Sequence, residues 1–574
     1  MTSIRHVAFD RADVDDWAKT DQQHTNWPVV YLLDGKRKLY VGETVSAHNR
    51  LRQHLDGPKN DVGLESIRVV VDDTFNKSVC LDLESHLIRW FHGDGQYELL
   101  NGNDGLTDAQ YYDRELYRES FRDVFEALRS EGLFSRSIPQ IENSDLFKLS
   151  PFKALNSDQA IAVTDIVEGL LEDLQHPGIR STLVVQGDPG TGKTIIAIFL
   201  MKLLADIRDH RAHDNVEPDS MFTEFFVPEN SELLHDLRMA LVIPQQALRK
   251  SVKEVFKKTP KLDPKMVMTP FQLGESDVEY DLVLVDETHR IGQRANQASG
   301  MQNKKFTEIN HALFGDDDPK RTQLDWIKAR SRHQLLLVDG AQSVRPHDLS
   351  PATLDAELRA ARDAHRHYRL STQMRVRAGT DYVEFVRGML RGEDPRMPDL
   401  GEYDLRLFDD VGEMRAAIRA RDTEVGLSRM VAGYAWDWVS RRDPAAYDIE
   451  VDGERMRWNT TDKDWINSPG SLDEVGSIHM VQGYDLNYAG VIIGPDLRVV
   501  DGTIVADWDA YRDKKGKENT GHLKGSFGED ELLVFIRNIY GVLLTRGIRG
   551  TYVYVCDERL RERVQALIGG VQST

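Results

Sequence analysis

Eight consecutive residues, Gly187-Asp188-Pro189-Gly190-Thr191-Gly192-Lys193-Thr194, carry the spacing G-x-x-x-x-G-K-[ST]. Glycines at Gly187, Gly190 and Gly192 let successive backbone N–H groups close around phosphates, and a helix starting behind them adds partial positive charge. In this pattern Lys193 reaches the β- and γ-phosphates and the Thr194 hydroxyl holds Mg²⁺. The implied ligand is a nucleoside triphosphate. Further along, Leu282-Val283-Leu284-Val285 runs into Asp286-Glu287. An apolar strand ending in two carboxylates fits Asp286 near Mg²⁺, through water, and Glu287 orienting and deprotonating an attacking water.

A separate set of reactive side chains lies near the start of the chain. Tyr31 and Tyr40 stand on the two arms of a hairpin whose turn is Asp34-Gly35-Lys36-Arg37-Lys38. Arg50 and His54, four residues apart, share one face of the helix that follows. Glu84 sits at the apolar edge of a later helix, and Asn101 closes the segment.

The elements that must hold these groups follow from pattern. A strand-prone run, Thr182 to Val185, precedes the phosphate loop, and Ile195, Ile196, Ile198, Phe199, Leu200, Leu203 and Leu204 give an apolar helix after it. From Leu155 short strands alternate with helices, with strands expected over 182–186, 239–243, 281–285, 334–338, 429–433, 489–493 and 551–555. That alternation predicts a parallel sheet covered on both sides. Residues 206–232 and 496–530 read as insertions, the latter as an exposed loop marked by Asp509, Arg512, Asp513, Lys514, Lys515 and Gly516. Leu116, Phe121, Val124, Phe125 and Leu128 have helical spacing and suggest a charged helical connector.

Bulk composition sets the frame. A chain of 574 residues exceeds one core and divides into several domains. Hydrophobic residues make up 40% and charged residues 29%, an ordinary globular balance with no bilayer-length apolar run and no signal-peptide core at Met1. Cys80 and Cys556 are the two cysteines, which suits a reducing cytoplasm and offers no cysteine-based zinc site. The net charge of −21 weighs mildly against nucleic acid, although Arg249-Lys250, Lys257-Lys258, Lys304-Lys305 and Lys514-Lys515 with Lys517 form local basic clusters.

The order of segments around the phosphate loop resembles the superfamily 1 helicases. Leu155-Asn156-Ser157-Asp158-Gln159 is similar to their adenine-reading Gln motif, since the Gln159 amide can both donate to and accept from the adenine edge. Ala240-Leu241-Val242-Ile243-Pro244 resembles motif Ia, and Val338-Asp339-Gly340-Ala341-Gln342 resembles motif III, in which Gln342 senses the γ-phosphate; Val338 stands where the leading glycine is usual. Ser371-Thr372-Gln373-Met374-Arg375 falls at motif IV. Ile478-His479-Met480-Val481-Gln482-Gly483-Tyr484-Asp485 resembles motif V with Asp485 in place of Glu. Tyr540-Gly541-Val542-Leu543-Leu544-Thr545-Arg546-Gly547 resembles motif VI, whose arginine neutralises charge on the transferring phosphoryl group. His289-Arg290 and the ending from Leu543 to Val555 narrow the resemblance to the Schlafen group 3-like DNA/RNA helicase domain, over about residues 155–560. This implies two RecA-like lobes around ATP, with Arg375 and Arg546 completing the site from the second lobe. The motor spans only about 420 residues with short insertions, so translocation or sensing fits as well as strand separation.

Residues 27–103 resemble the GIY-YIG nuclease family. Tyr31 takes the tyrosine of the first tripeptide, with Val29-Val30 replacing Gly-Ile, and Tyr40-Val41-Gly42 is close to the second. Arg50, His54, Glu84 and Asn101 fall at that family's arginine, a histidine, the metal-binding glutamate and a late asparagine. The resemblance implies phosphodiester hydrolysis with one Mg²⁺, or Mn²⁺, on Glu84, phosphate oxygens forked by Arg50, and water oriented or deprotonated by Tyr31 or Tyr40. A tyrosine needs a neighbouring cation to serve as a base at neutral pH.

The expected architecture is therefore a multidomain α/β protein: an N-terminal extension (1–26), a small α/β GIY-YIG module (27–103), a helical connector (104–150) and two RecA-like parallel-sheet lobes (151–369 and 370–574). The leading reading is a cytoplasmic ATP-driven helicase or translocase fused to a metal-dependent endonuclease, acting on nucleic acid with DNA favoured over RNA, without a membrane, in the manner of bacterial restriction or anti-phage systems. Two other readings compete: a nucleic-acid-stimulated ATPase sensor whose front module binds without cutting, and a P-loop signalling switch with no nucleic-acid role.

Overall fold

The computed structural model describes the chain except residues 1, 102–110, 153–154, 211–221, 295–299, 340–346, 371, 373–375, 377, 462–464, 482–484, 518–527 and 569–574; for 58, 61, 380, 479, 514 and 515 it describes the backbone alone. Two compact units emerge, and they interleave along the chain: Met1–Gln175 with Thr194–Leu237 and Ser251–Met266, and His176–Lys193 with Arg238–Lys250 and Val267–Thr574.

The first unit is built on β1 (Ser3–Ala8), α1 (Arg11–Ala18), β2 (Val29–Gly35), β3 (Lys38–Thr44), α2 (Ala47–Asp56), β4 (Leu64–Val71), α3 (Lys77–Asp94) and β5 (Glu98–Leu99). The sheet order is β1-β4-β2-β3-β5. The hairpin pairs Tyr31 with Gly42. Strand alternation splits its side chains between two cores. Val30, Leu32, Leu39 and Val41 pack under α3, while Val29, Tyr31, Leu33 and Tyr40 pack with Ala47 and Leu51 of α2. The Asn76 side chain accepts the Val79 N–H to start α3, and Gly95, at φ +71°, ends it.

Two features differ from the expectation. Residues 3–8 are an edge strand paired antiparallel to β4, so the sheet begins before residue 27. The helices α4 (Arg114–Ser130) and α5 (Ile138–Glu142) bury Phe121, Val124, Phe125, Leu128 and Ile141 in the same core as Leu83, Trp90 and Phe91 of α3, and Phe147 of α6 (Asp145–Lys148) packs against it. The apolar stripe of α4 is wide and aromatic, and it is buried against α3. The unit continues with α7 (Ser157–Leu174), α8 (Lys193–Arg208, all but its first residue), α9 (Pro228–Leu233) and the second part of α10 (Gln246–Lys258).

The second unit holds two largely parallel sheets. The first comprises β6 (Ser181–Gly187), β7 (Met239–Val242), β8 (Val267–Met268), β9 (Tyr280–Val285), β10 (Ser331–Val338) and β11 (His367–Leu370), in the order β11-β6-β10-β9-β7-β8, with α11 (Pro270–Gly274), α12 (Gly300–Phe314), α13 (Gln323–Arg330) and α14 (Pro351–Asp363). Leaving α15 (Gly379–Arg391), the chain builds β12 (Asp404–Leu407), α16 (Val411–Val425), β13 (Ser428–Ala432), β14 (Ile449–Val451), β15 (Glu454–Trp458), β16 (Glu474–Ser477), α17 (Ile478–Val481) and β17 (Leu486–Ile493). A hairpin of β18 (Leu497–Val500) and β19 (Thr503–Ala506), then α18 (Lys514–Lys517), α19 (Glu529–Leu544), β20 (Gly547–Val555) and α20 (Glu558–Ile568) complete it. The second sheet runs β12-β20-β17-β13-β16-β15-β14. The run after 496 is not the exposed loop expected of its charges: Leu497, Ile504 and Tyr511 join the buried core and Asp513 is itself buried. Among the described residues, no helix is long and apolar enough to cross a membrane.

Candidate functional site

Three neighbouring parallel strands, β6, β10 and β9, end side by side, and their carboxyl ends carry the charged groups. The edge beyond the carboxyl ends of parallel strands is where open α/β sheets bind ligands. After β6 the chain turns through Gly190 at φ +88° and Gly192 at φ +82°, a backbone region that side chains rarely adopt. A Cβ on Gly187 would lie 2.4 Å from Thr191 Oγ1, so the tight turn requires that glycine too. Lys193 is buried and donates from Nζ to the carbonyls of Gly187 at 2.6 Å and Asp188 at 2.9 Å. Its ammonium also lies 3.5 Å from Asp339 Oδ2, at the end of β10. Thr194 follows as the second residue of α8.

At the end of β9, Asp286 is fully buried; its N–H donates to Val242 O at 2.9 Å and its Oδ1 accepts the Glu287 N–H at 2.9 Å. Glu287 sits at φ +49°. The fully buried His289 brings Nε2 to 3.0 Å from Glu287 Oε2, a close polar contact that is not aligned as a hydrogen bond. Burial alone would raise the Glu287 carboxyl, but His289, then the charges of Lys193 and Arg290, hold it well below the usual carboxylate range. Glu287 is thus an ionised carboxylate facing the lysine of the phosphate loop.

The other expected participants vary. Gln159 is buried in the first turn of α7, where its Oε1 accepts the Asn156 N–H at 3.1 Å and Asn156 Oδ1 accepts the Gln159 N–H at 2.9 Å. This reciprocal cap gives the Gln motif a structural task of its own. Gln342 and Arg375 lie outside the described residues. Arg546 is buried immediately before β20, with its N–H on Leu543 O at 3.2 Å. Sequence reasoning missed Asp339, His289 and Arg387 as site groups. Arg387, on α15, donates from Nη2 to Asp188 Oδ1 of the phosphate loop at 2.8 Å. A cavity of about 240 Å³ beside Pro189 is lined by Arg387, Arg391, Arg537, Asn538 and Thr545. Of these signals, only Asp339 and His289 had a visible cue, their place next to strand-end motifs.

In the front module, Tyr31 and His54 meet through a 2.8 Å hydrogen bond between the phenol oxygen and Nε2. The Tyr40 ring stands 5.2 Å from the His54 ring and 6.2 Å from that of Tyr31, with Lys59 Nζ 3.0 Å from the Tyr40 ring centre. Burial, then the charges of Lys59 and Arg50, push the His54 imidazole down to about 3, so it is neutral. A Cβ on Gly42 would lie 2.4 Å from the Tyr31 hydroxyl, which explains the glycine of the second tripeptide: it makes room for the tyrosine across the hairpin. Arg50 Nη1 donates to Gln53 Oε1 at 3.3 Å. Asn101 clamps Val41, accepting its N–H at 3.1 Å and donating to its carbonyl at 2.7 Å. Glu84 is buried on α3, which covers the other face of the sheet, and with Glu43 it raises the Cys80 thiol already pushed up by burial. No group of three or more His, Cys, Asp or Glu side chains able to hold a metal occurs among the described residues.

The model of the Schlafen group 3, DNA/RNA helicase domain family matches residues 180–557. The chain belongs to this family. The Schlafen-type match begins at the first strand of the phosphate-loop sheet and ends just after β20, so it takes in Lys193, Asp286, Glu287, Asp339 and Arg546. The uncharacterized protein YPL245W of Saccharomyces cerevisiae (strain ATCC 204508 / S288c) is 28% identical over 418 residues, 68% of this chain and 85% of that protein. The ATP-dependent DNA helicase RecG of Aquifex aeolicus (strain VF5) is 26% identical over 222 residues, 38% of this chain but only 26% of RecG. Among solved structures, the Pif1 helicase from Candida albicans aligns with 72% of this chain and 100% of its own at 12% identity and a TM-score of 0.26. The Schlafen-type helicase domain leaves the front module, residues 3–99 with its tyrosine–histidine pair, outside its matched range.

Proposed function

We propose that this protein is an ATP-driven motor on nucleic acid, with DNA favoured over RNA, whose front module is a GIY-YIG endonuclease. The observation that carries the motor is the set of Lys193, Asp339 and the Asp286-Glu287 pair at the ends of three adjacent parallel strands. The groups fit a nucleotide: positive-φ glycines turn the loop backbone so that N–H groups can face anionic oxygens, and the buried Lys193 ammonium is held by carbonyls that a phosphate can outbid. ATP with Mg²⁺ supplies the labile phosphoryl group and the charge that polarises it. Lys193 neutralises phosphate oxygens, Thr194 and Asp286 are the hard oxygen ligands a magnesium ion takes, Glu287 accepts a proton from water, and Arg546, with Arg375, neutralises charge from the second lobe. Gln159 and Gln342 read the base and the γ-phosphate.

In the nuclease, Tyr31, held by its hydrogen bond to the neutral His54, orients water, Tyr40 beside the Lys59 cation is placed to deprotonate it, Arg50 forks phosphate oxygens, and Glu84 would hold Mg²⁺ or Mn²⁺. The fusion suits a cytoplasmic restriction or anti-phage role. A second reading, a nucleic-acid-stimulated ATPase whose module binds without cutting, is favoured by one observation: Tyr31, Tyr40 and His54 face α2, whereas Glu84 belongs to the helix on the opposite face. Labelled DNA and RNA, with and without ATP and Mg²⁺, separate the two readings when cleavage and hydrolysis are scored together. Lys193→Ala and Glu287→Gln are expected to lower ATP turnover about 100-fold or more, and Glu84→Ala to stop cutting. Wild-type hydrolysis in Glu287→Gln would remove Glu287 from the mechanism, and equal cutting by Glu84→Ala would remove the nuclease.

A further inference from the structure

Two segments leave the carboxyl edge of the seven-stranded sheet side by side. One follows β13 and spans 433–448; the other follows β17 and includes 494–517. Glycines bring them together: a Cβ on Gly494 would lie 2.5 Å from Ala435 Cβ, and one on Gly433 would lie 2.3 Å from the Tyr540 hydroxyl. The Arg512 N–H donates to Tyr434 O at 2.7 Å, and its guanidinium lies 3.6 Å from Asp437.

This corner collects four of the nine tryptophans, and three of them, Trp436, Trp438 and Trp508, pack against the cores yet keep part of their surface exposed. Behind them the buried Trp458 stacks on Tyr434 at 5.5 Å and 12°. Tyr434 meets Trp438 at 6.5 Å. Cations line the rings: Arg441 lies 5.7 Å from the Trp438 ring centre and Lys517 lies 5.4 Å from that of Trp508. The acids of the corner have partners: Asp437 reaches across to Arg512, and Asp437, Asp507 and Asp509 lie near Lys517. Asp448 accepts from Ser440 N at 2.7 Å and Trp458 N at 2.8 Å. Asp507 accepts from Asp509 N and Ala510 N and faces Arg498 at 3.2 Å. Exposed Arg441 and Arg442 have no acidic partner among the described residues.

We propose that this corner is a stacking site for single-stranded nucleic acid, with Trp438 and Trp508 as platforms for bases and Arg441, Arg442 and Lys517 on the phosphates. The proposal rests on the reading of the chain as a nucleic-acid motor and names where the second sheet would grip the strand. Aromatic faces beside cations hold unstacked bases of any sequence, and a duplex, with its bases already stacked, cannot offer them. Its place beyond the carboxyl ends of parallel strands is where such sheets take ligands.

The test is binding of labelled oligothymidylate, oligouridylate and an abasic strand of equal length to the full chain in EDTA, by fluorescence anisotropy, with thermal unfolding of each variant alongside. Trp438→Ala is expected to weaken base-bearing strands about tenfold and to leave the abasic strand unchanged, while Trp438→Phe restores most of the loss. Trp438→Ala binding the base-bearing strand like wild type, or losing the abasic strand equally, overturns the stacking site. If wild-type ATPase still rises with single strands in that case, the motor reading stands without it. If wild type neither binds nor responds, the motor reading fails and the site with it.

Discussion

Glu287 is a carboxylate kept in an uncomfortable backbone, at φ +49°, between a lysine and a histidine. Such backbone costs about 1–3 kcal/mol and persists where surroundings over-determine it. The fully buried His289 is the neighbour that fixes the carboxylate. With His289→Asn the neighbour that lowers Glu287 most is lost while burial remains, so the Glu287 carboxyl rises toward and beyond its ordinary value. A base with a raised pKa is protonated at higher pH, so the acid limb of the kcat–pH profile moves toward neutral and kcat falls about tenfold at pH 6. Steady-state ATPase against pH reads this, and an unmoved acid limb would show that His289 only fills space. The phosphate loop and the strand-end acids were legible in sequence because their meaning is local. The Lys193–Asp339 contact was not, since it depends on β10 lying between β6 and β9. Gly42 was visible only as part of a tripeptide; its reason, the Tyr31 ring across the hairpin, required the register.

At the scale of elements, α19 is tied to the residues after β17 by the buried Tyr540 hydroxyl. Tyr540 donates to Asp496 Oδ1 at 2.5 Å and accepts the Gly494 N–H at 2.8 Å. Asp496 is fully buried, and burial, against the Tyr540 hydrogen bond and with the nearby charge of Asp507, raises its carboxyl from 3.8 to about 7. The sign follows from linkage. Below 3.8 the group is neutral folded and unfolded; between 3.8 and about 7 the unfolded chain ionises first, so stability is lost as pH rises, and above about 7 the loss is complete. Asp496→Asn is expected to remove roughly 2–4 kcal/mol of that pH dependence, so its Tm should change less between pH 4 and pH 8 than that of wild type. Equal slopes would mean that Asp496 is ionised in the fold. Helix α19 ends just before Arg546, so this contact also sets the register of a proposed catalytic arginine. In the two large sheets, β6, β7, β9, β10, β13, β17 and β20 were readable from apolar runs between turn residues, whereas β8, β11, β12, β14, β15 and β16 were not, being short or broken by charged residues. The edge strand 3–8 was not, because Arg5 and His6 break its alternation, and the aromatic corner was not, because loop residues carry no period.

For the whole molecule, the front module has no boundary at residue 103. Phe121, Val124, Phe125, Leu128, Leu133, Phe134 and Ile141, seven side chains beyond that point, are buried against α3 and its neighbours. Phe91 stacks on Phe134 at 4.1 Å and Trp90 meets Phe125 at 5.3 Å. Burying one such side chain contributes about 1.5–3 kcal/mol, so their loss exceeds the roughly 5–15 kcal/mol that holds a domain folded. The polar contacts agree: Asp94 accepts the N–H groups of Ser135 at 3.1 Å and Arg136 at 2.9 Å, and Asp82 pairs with Arg114 at 3.2 Å. A fragment 1–103 is therefore expected to lack a cooperative thermal transition, whereas 1–152 retains one and keeps the Tyr31–His54 pair. Calorimetry on the two fragments decides it. Cooperative unfolding of 1–103 would mean that the helices after residue 113 are an attachment to a self-sufficient module. Their failure to be dispensable would explain why a segment that reads as a charged connector carries so many buried aromatic rings: it completes the core that holds the hairpin, and with it the geometry of Tyr31, Tyr40 and His54.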